Sequence, residues 1–213
     1  MVSAALVLAA CSTGETPVTP STSTSTTAMA PVSDTAVWPW AASGRVFTSP
    51  KAVAESFAKE YLGFSSPVLE AFQQGDARSG EVPIRPRLGG PVTTVFLRQL
   101  NRSLHWSVLG AASSQIELSS PSALELVSSP VALRGMSTAF EASVNVSVLA
   151  DGSFKPIGEG TVMGGSMGVM GPFTGEVSFS TPKMKSGAIM LRVLSAKDGS
   201  TEAAGVLRVH FSH

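Results

Sequence analysis

Hydrophobic positions change their rhythm three times along the chain. The apolar run Val2 to Ala10 has the length of an export-signal core and falls well short of the ~20 apolar residues of a membrane-spanning helix. No Lys or Arg precedes it within the chain. From Ser12 to Thr27, eleven residues are Ser or Thr, with Pro17 and Pro20 among them. Such a stretch cannot assemble a core, and residues 11–35 read as a disordered Ser/Thr/Pro stalk with a reach on the order of 25–30 Å. Helical periodicity then appears once. Ser49 suits an N-cap, Pro50 the first helical position and Gly63 the residue after the last turn. Between them Val53, Ala54, Phe57, Ala58, Tyr61 and Leu62 recur at three- and four-residue spacing, which predicts an amphipathic helix with its aromatic stripe in the core.

Period-two alternation follows. Residues 81–86 alternate but carry Pro83 and Pro86, which assigns them to a sheet edge. Residues 93–100 and 104–110 are β-rich and separated by Asn101-Arg102-Ser103, the pattern of a hairpin. Residues 36–114 therefore read as a small α+β module, one helix packed on a short antiparallel sheet. From Gln115 onward, β-rich stretches alternate with turn signals every eight to twelve residues, the spacing of a β-sandwich over 115–213. Predicted strands are 115–118, 124–127, 131–135, 140–149, 154–162, 173–179, 188–195 and 203–211. Val144, Val146 and Val148 share one face and Asn145 and Ser147 the other. Asp151-Gly152 and Asp198-Gly199 carry the signal of tight turns, and their carboxylates are turn formers first.

Composition sharpens this picture. Of the 213 residues 43% are hydrophobic, enough for a core, and 14% are charged, which suits an extracytoplasmic β-protein. Lys and Arg together balance Asp and Glu at zero formal net charge, leaving no electrostatic footprint for nucleic acid. Arg78, Arg85, Arg87, Arg98 and Arg102 make the first module locally basic and read as a solvated sheet face.

The single cysteine, Cys11, excludes an intrachain disulfide. Leu8-Ala9-Ala10-Cys11 resembles the bacterial lipobox, in which the cysteine carries diacylglycerol and becomes the mature N-terminus. That resemblance implies a signal peptide over residues 1–10, lipidation at Cys11 and stable tethering to a membrane through more than one acyl chain. A second resemblance lies further on. Ser129-Pro130-Val131, Arg134-Gly135, Ala139-Phe140-Glu141-Ala142, the run Val144 to Val148, Gly171 to Phe179 and Ser195 to Ser200 look like the immunoglobulin-like domain of bacterial spore germination proteins. The resemblance implies an Ig-like antiparallel sandwich in a cell-envelope lipoprotein, with no established activity. The upstream segment, including Thr93 to Arg98 and Trp106 to Gly110, is similar to the corresponding part of actinobacterial lipoproteins of this kind. No cysteine pair and no tryptophan after Trp106 are present, so this sandwich closes by apolar packing alone.

Two motifs bear on chemistry. Gly164-Gly165-Ser166-Met167-Gly168 has the spacing of a hydrolase nucleophile elbow, and Asp198 and His210 follow in triad order. An elbow needs a strand before the serine and a helix after it, whereas here glycines surround Ser166 and predict a mobile connection. Met163, Met167 and Met170 crowd the same loop, and thioether clusters suit Cu(I). The bland alternative is a soft contact surface. No His/Cys/carboxylate set has zinc spacing: His105 falls in a strand, and His210 and His213 in the tail.

The expected protein is thus mainly β, an Ig-like sandwich preceded by the α+β module, lipid-anchored on the extracytoplasmic face. Its expected role is a non-catalytic binding or structural module at the bacterial envelope, germination- or wall-associated, with no cofactor, no resident metal and no nucleic-acid partner. Expected partners are the membrane, through the lipid, and a wall polymer or envelope protein. Met163, Met167 and Met170 are the candidate contact loop, with copper binding as the alternative and serine hydrolysis a remote one.

Overall fold

The computed structural model describes residues 35–100 and 102–212. The signal run and Cys11 lie outside the described residues, and of the stalk only Thr35 falls among them. The described residues form one compact unit. Its strands, in chain order, are β1 (Val68–Leu69), β2 (Gln73–Asp76), β3 (Ser79–Arg85), β4 (Thr93–Gln99), β5 (Trp106–Ser113), β6 (Ile116–Ser120), β7 (Leu126–Val127), β8 (Val131–Ala139), β9 (Ser143–Ala150), β10 (Gly158–Met163), β11 (Gly165–Ser166), β12 (Gly171–Val177), β13 (Ser186–Leu194) and β14 (Thr201–Phe211).

The protein is mainly β and its long strand pairings are antiparallel. One layer runs β1-β3-β4-β5-β14-β13-β9-β10, with β2 also on β3. β6, β8 and β12 pair in that order to form the facing layer, and the chain passes between the layers at the pair Ser113↔Ile116. Val144, Val146, Val148, Ile189, Leu191 and Val209 from the first layer pack on Leu133, Phe173 and Val177 from the second. This is the Ig-like sandwich. At its far side, β10 and β12 approach through glycines: a Cβ at Gly160 would press on Val177, and one at Gly175 on Val162.

The other face of the first layer carries the helix. α1 (Pro50–Ser56) starts as its sequence dictates, with the Ser49 hydroxyl accepting from the Ala52 N–H and Pro50 at the first position. After Ser56 the turn widens into a π-helical stretch, Phe57–Tyr61, and Leu62 N–H donates to the Phe57 carbonyl at 3.0 Å. Gly63, at φ +77°, ends the helix where the sequence places it. Phe57, Ala58, Tyr61 and Leu62 are all buried, so every apolar residue of the predicted stripe enters the core. Full burial of a side chain the size of Phe57 or Leu62 contributes about 2 kcal/mol.

What the helix packs against reaches across the chain. Val82, Ile84, Val95, Leu97 and Val108 of β3 to β5 share its core with Leu149, Ala188, Met190, Ala204 and Val206 of β9, β13 and β14. The inner strands β13 and β14 are covered on both faces, which is why their residues are apolar in runs instead of alternating. Residues 81–86 differ from the edge expectation, because β1 and β2 both flank β3. Pro83 is accommodated because the two flanking strands leave a gap opposite it, where its carbonyl accepts from Glu70 N–H.

Candidate functional site: an apolar cleft at the mouth of the sandwich

The two layers meet closely at β10 and β12 and part on the opposite side. There, a cleft of about 660 Å³ opens where β6 faces β5 and β14. Its floor is small and apolar, Gly110, Ala111, Ala112, Gly205 and Val206; its walls include Phe96, Leu109, Leu118 and Leu207, with Met170 at one end. The cleft exists because the facing layer is only three strands wide. It covers β14, β13, β9 and β10 but leaves the same face of β4 and β5 bare, so Phe96 is exposed there while Val95 and Leu97 on either side are buried beneath the helix. A size of this order and an apolar lining with few polar groups are the properties of a ligand site.

Met163, Met167 and Met170 border this site to different degrees. Met170 lines the cleft. Met163 ends β10 opposite Ser143, and Met167 caps the loop with 71% of its surface exposed and φ +53°. Phe140, 65% exposed, stands on the adjoining turn, to which the loop is bonded by Gly164 N–H to the Ala142 carbonyl (2.9 Å) and Met167 N–H to the Ala139 carbonyl (3.3 Å). The glycines are dense here for a reason other than the mobility expected from the sequence. Gly165 and Gly171 pack backbone on backbone, and a Cβ at Gly165 would overlap the Val169 carbonyl. β11 also pairs in parallel with Thr138 and Ala139 of β8.

Both turn aspartates are bonded within the fold. Asp151 Oδ2 accepts from Arg208 Nη2 at 2.7 Å and its other oxygen from Nη1, while Arg208, only 3% exposed, also donates to the Gly187 carbonyl. The remainder of that turn is drawn onto the helix side, where Phe154 lies 4.6 Å from the Trp40 ring centroid and 5.8 Å from Trp38. For this reason β10 begins at Gly158 and not at Phe154. Asp198 Oδ1 accepts from the Ser200 hydroxyl (2.7 Å) and N–H (3.1 Å), and these bonds, hydroxyl first, hold its carboxyl below the usual range.

The hydrolase spacing has no counterpart in space. Asp198 sits at the β13–β14 turn, whereas His210 pairs opposite Ser186 at the far end of that hairpin, on the order of 25 Å away at ~3.3 Å per residue. His210 Nδ1 is hydrogen-bonded to the Ser186 hydroxyl at 2.9 Å. Among the described residues no three His, Cys, Asp or Glu side chains form a metal-binding group. Of the first module's arginines, Arg78 donates to the Ser103 carbonyl, Arg85 pairs with Glu70 and donates to the Gly90 carbonyl, Arg98 pairs with Asp76, and Arg87 reaches Glu202 on β14, while Arg102 is exposed.

Fold and site together define an Ig-like sandwich with an apolar mouth. Residues 115–200 match the family model of the immunoglobulin-like domain of bacterial spore germination. The match covers under half of the chain and stops before β14, the strand that joins β13 to β5. Comparison with curated proteins and with solved structures finds no match. Sequence reasoning singled out the methionine loop and missed Phe96, Leu109, Ala112, Leu118 and Leu207. A signal was present: β4 and β5 carry large apolar residues on both faces, Val95 and Leu97 against Phe96, Val108 against Leu109, which a singly buried sheet does not require.

Proposed function

We propose that this chain is a non-catalytic binding module of the bacterial envelope, tethered through lipid on Cys11 and presenting its sandwich mouth to a wall polymer or envelope protein. The observation that carries the binding role is the apolar cleft of about 660 Å³ at the open side of the sandwich. A concave site of this volume with a mostly apolar lining and few polar groups is the kind that binding sites use. The tether rests on Leu8-Ala9-Ala10-Cys11 and on the Ser/Thr-rich run behind it. Among the described residues no helix is long and apolar enough to cross a membrane.

Two measurements test the reading. Metabolic labelling with a tritiated fatty acid marks the full chain and not its Cys11→Ala variant, and the variant leaves the membrane fraction; an unlabelled wild type refutes the tether. Residues 31–213, immobilised, retain peptidoglycan or one envelope protein from a membrane extract. Retention of neither refutes the binding role.

A further inference from the structure

The backbone of β6 decides what the cleft is built to hold. β6 is an interior strand on one side, paired with β8 through Ile116↔Ser137, Glu117↔Met136 and Leu118↔Gly135 and, past a bulge that follows Leu118, through Ser120↔Arg134. On its other side it touches β5 only at Ser113↔Ile116, and among the described residues no strand pairs with it beyond that point. An antiparallel ladder sends the N–H and C=O of alternate residues to opposite neighbours. Thr138 N–H donates to the Gln115 carbonyl, which puts Gln115 and Glu117 on the β8 side and turns the main-chain groups of Ile116 and Leu118 away from it. Those of Ile116 meet Ser113. Those of Leu118 face the cleft, as a short free strand edge beside an apolar trough.

We propose that the mouth cleft takes an extended apolar peptide segment with a basic residue, added as a strand to the free edge of β6. The proposal rests on the binding-module reading and names its ligand. A peptide strand offers the N–H and C=O that Leu118 lacks, and alternate side chains reach the trough between Leu118, Leu207, Leu109 and Phe96. An acyl chain fills the trough but leaves the Leu118 main-chain groups buried and unpaired, which costs binding free energy. Charge selects the basic residue. Of the two charged residues lining the cleft, Arg208 is held by Asp151, whereas Glu117 is exposed and has no ion-pair partner among the described residues.

The test uses residues 31–213 and a fluorescein-labelled seven-residue peptide of alternating Val and Thr with a central Lys. Anisotropy titration shows saturable binding, and the Leu118 amide, fast in hydrogen exchange when free, becomes protected in the complex. Ala112→Trp places an indole in the trough from an exposed position and weakens binding about tenfold or more at unchanged thermal midpoint. Glu117→Gln weakens it roughly twofold to fivefold, and replacing the central Lys by Glu does the same. No saturable binding, binding indifferent to Ala112→Trp, or a Leu118 amide that stays unprotected overturns the proposal. So does displacement of the peptide by stoichiometric palmitate, or a dimer of the chain formed through this edge. If the peptide does not bind while residues 31–213 still retain envelope material, this ligand assignment falls and the binding-module reading stands.

Discussion

A largely buried ion pair fixes the corner where helix, sheet and the β9–β10 turn converge. Arg208 on β14 is closed off from solvent by the same core that buries Tyr61, and Asp151 answers its charge. Removing one partner of such a pair leaves a charge stranded, so Asp151→Ala is expected to lower stability by about 3 kcal/mol, read as a shift of the urea midpoint. The Asp151→Ala, Arg208→Met double variant recovers most of the loss. A double variant as unstable as the single one contradicts the pairing. Tyr61 is the only tyrosine in the chain. Burial, reinforced by the nearby Asp151 carboxylate and opposed by Arg208, pushes its phenol far above the ordinary value. The folded chain therefore keeps that proton when the unfolded chain, at about pH 10, gives it up, and stability falls as pH rises past that point. Tyrosinate absorbance is expected to stay flat to pH 11 and to rise only with unfolding. A reversible titration near pH 10 in the folded protein contradicts the burial.

The elements divide into those whose rules are local and those set by neighbours. Both ends of the helix were legible because Ser49, Pro50 and Gly63 act within one turn, whereas the widening at Phe57 was not. In the widened stretch Tyr61 stacks on Phe57 with ring centroids 5.0 Å apart and packs edge-on to Trp38 at 6.1 Å, a contact that comes from outside the helix and that its own periodicity does not announce. The strands of the sandwich were legible from alternation, but β8 extends to Ala139, beyond the expected end at Gly135. Glycine there reads as a stop; in the sheet it is a point of close approach, and a Cβ at Gly135 would overlap the Glu117 carbonyl and the Phe173 ring. Gly187 on β13 is held in the same way against the Leu149 carbonyl and the Phe211 ring. Gly135→Ala and Gly187→Ala are each expected to cost several times more than Gly152→Ala. Gly152 lies in an open turn with nothing near its missing side chain and pays only for its φ of +82°. Thermal denaturation orders the three, and an inverted order contradicts the register. The cleft escaped sequence reasoning because its lining comes from β4, β5, β6 and β14, strands that only the topology brings together.

At the scale of the whole molecule, β14 joins what the sequence presents as two rhythms. It pairs along its length with β13, meets β5 at Val206↔Ala111 and places Ala204 and Val206 in the helix-side core while Ala203, Val209 and Phe211 fill the sandwich. Residues 31–200, which end where the family match ends, lose all of this. That fragment is expected to lack the near-ultraviolet circular dichroism of residues 31–213, and a native spectrum contradicts the role of β14. The same topology makes the mouth. β5 and β14 form its floor, and the three-strand facing layer stops at β6, leaving a step in the surface where a ligand can lie. Retention on envelope material, measured side by side for residues 31–213 and for the Ala112→Trp variant with its filled trough, shows whether the cleft does the binding. Retention by the first and its loss in the second, with both equally folded, is the predicted result; equal retention by both contradicts the assignment of binding to the cleft.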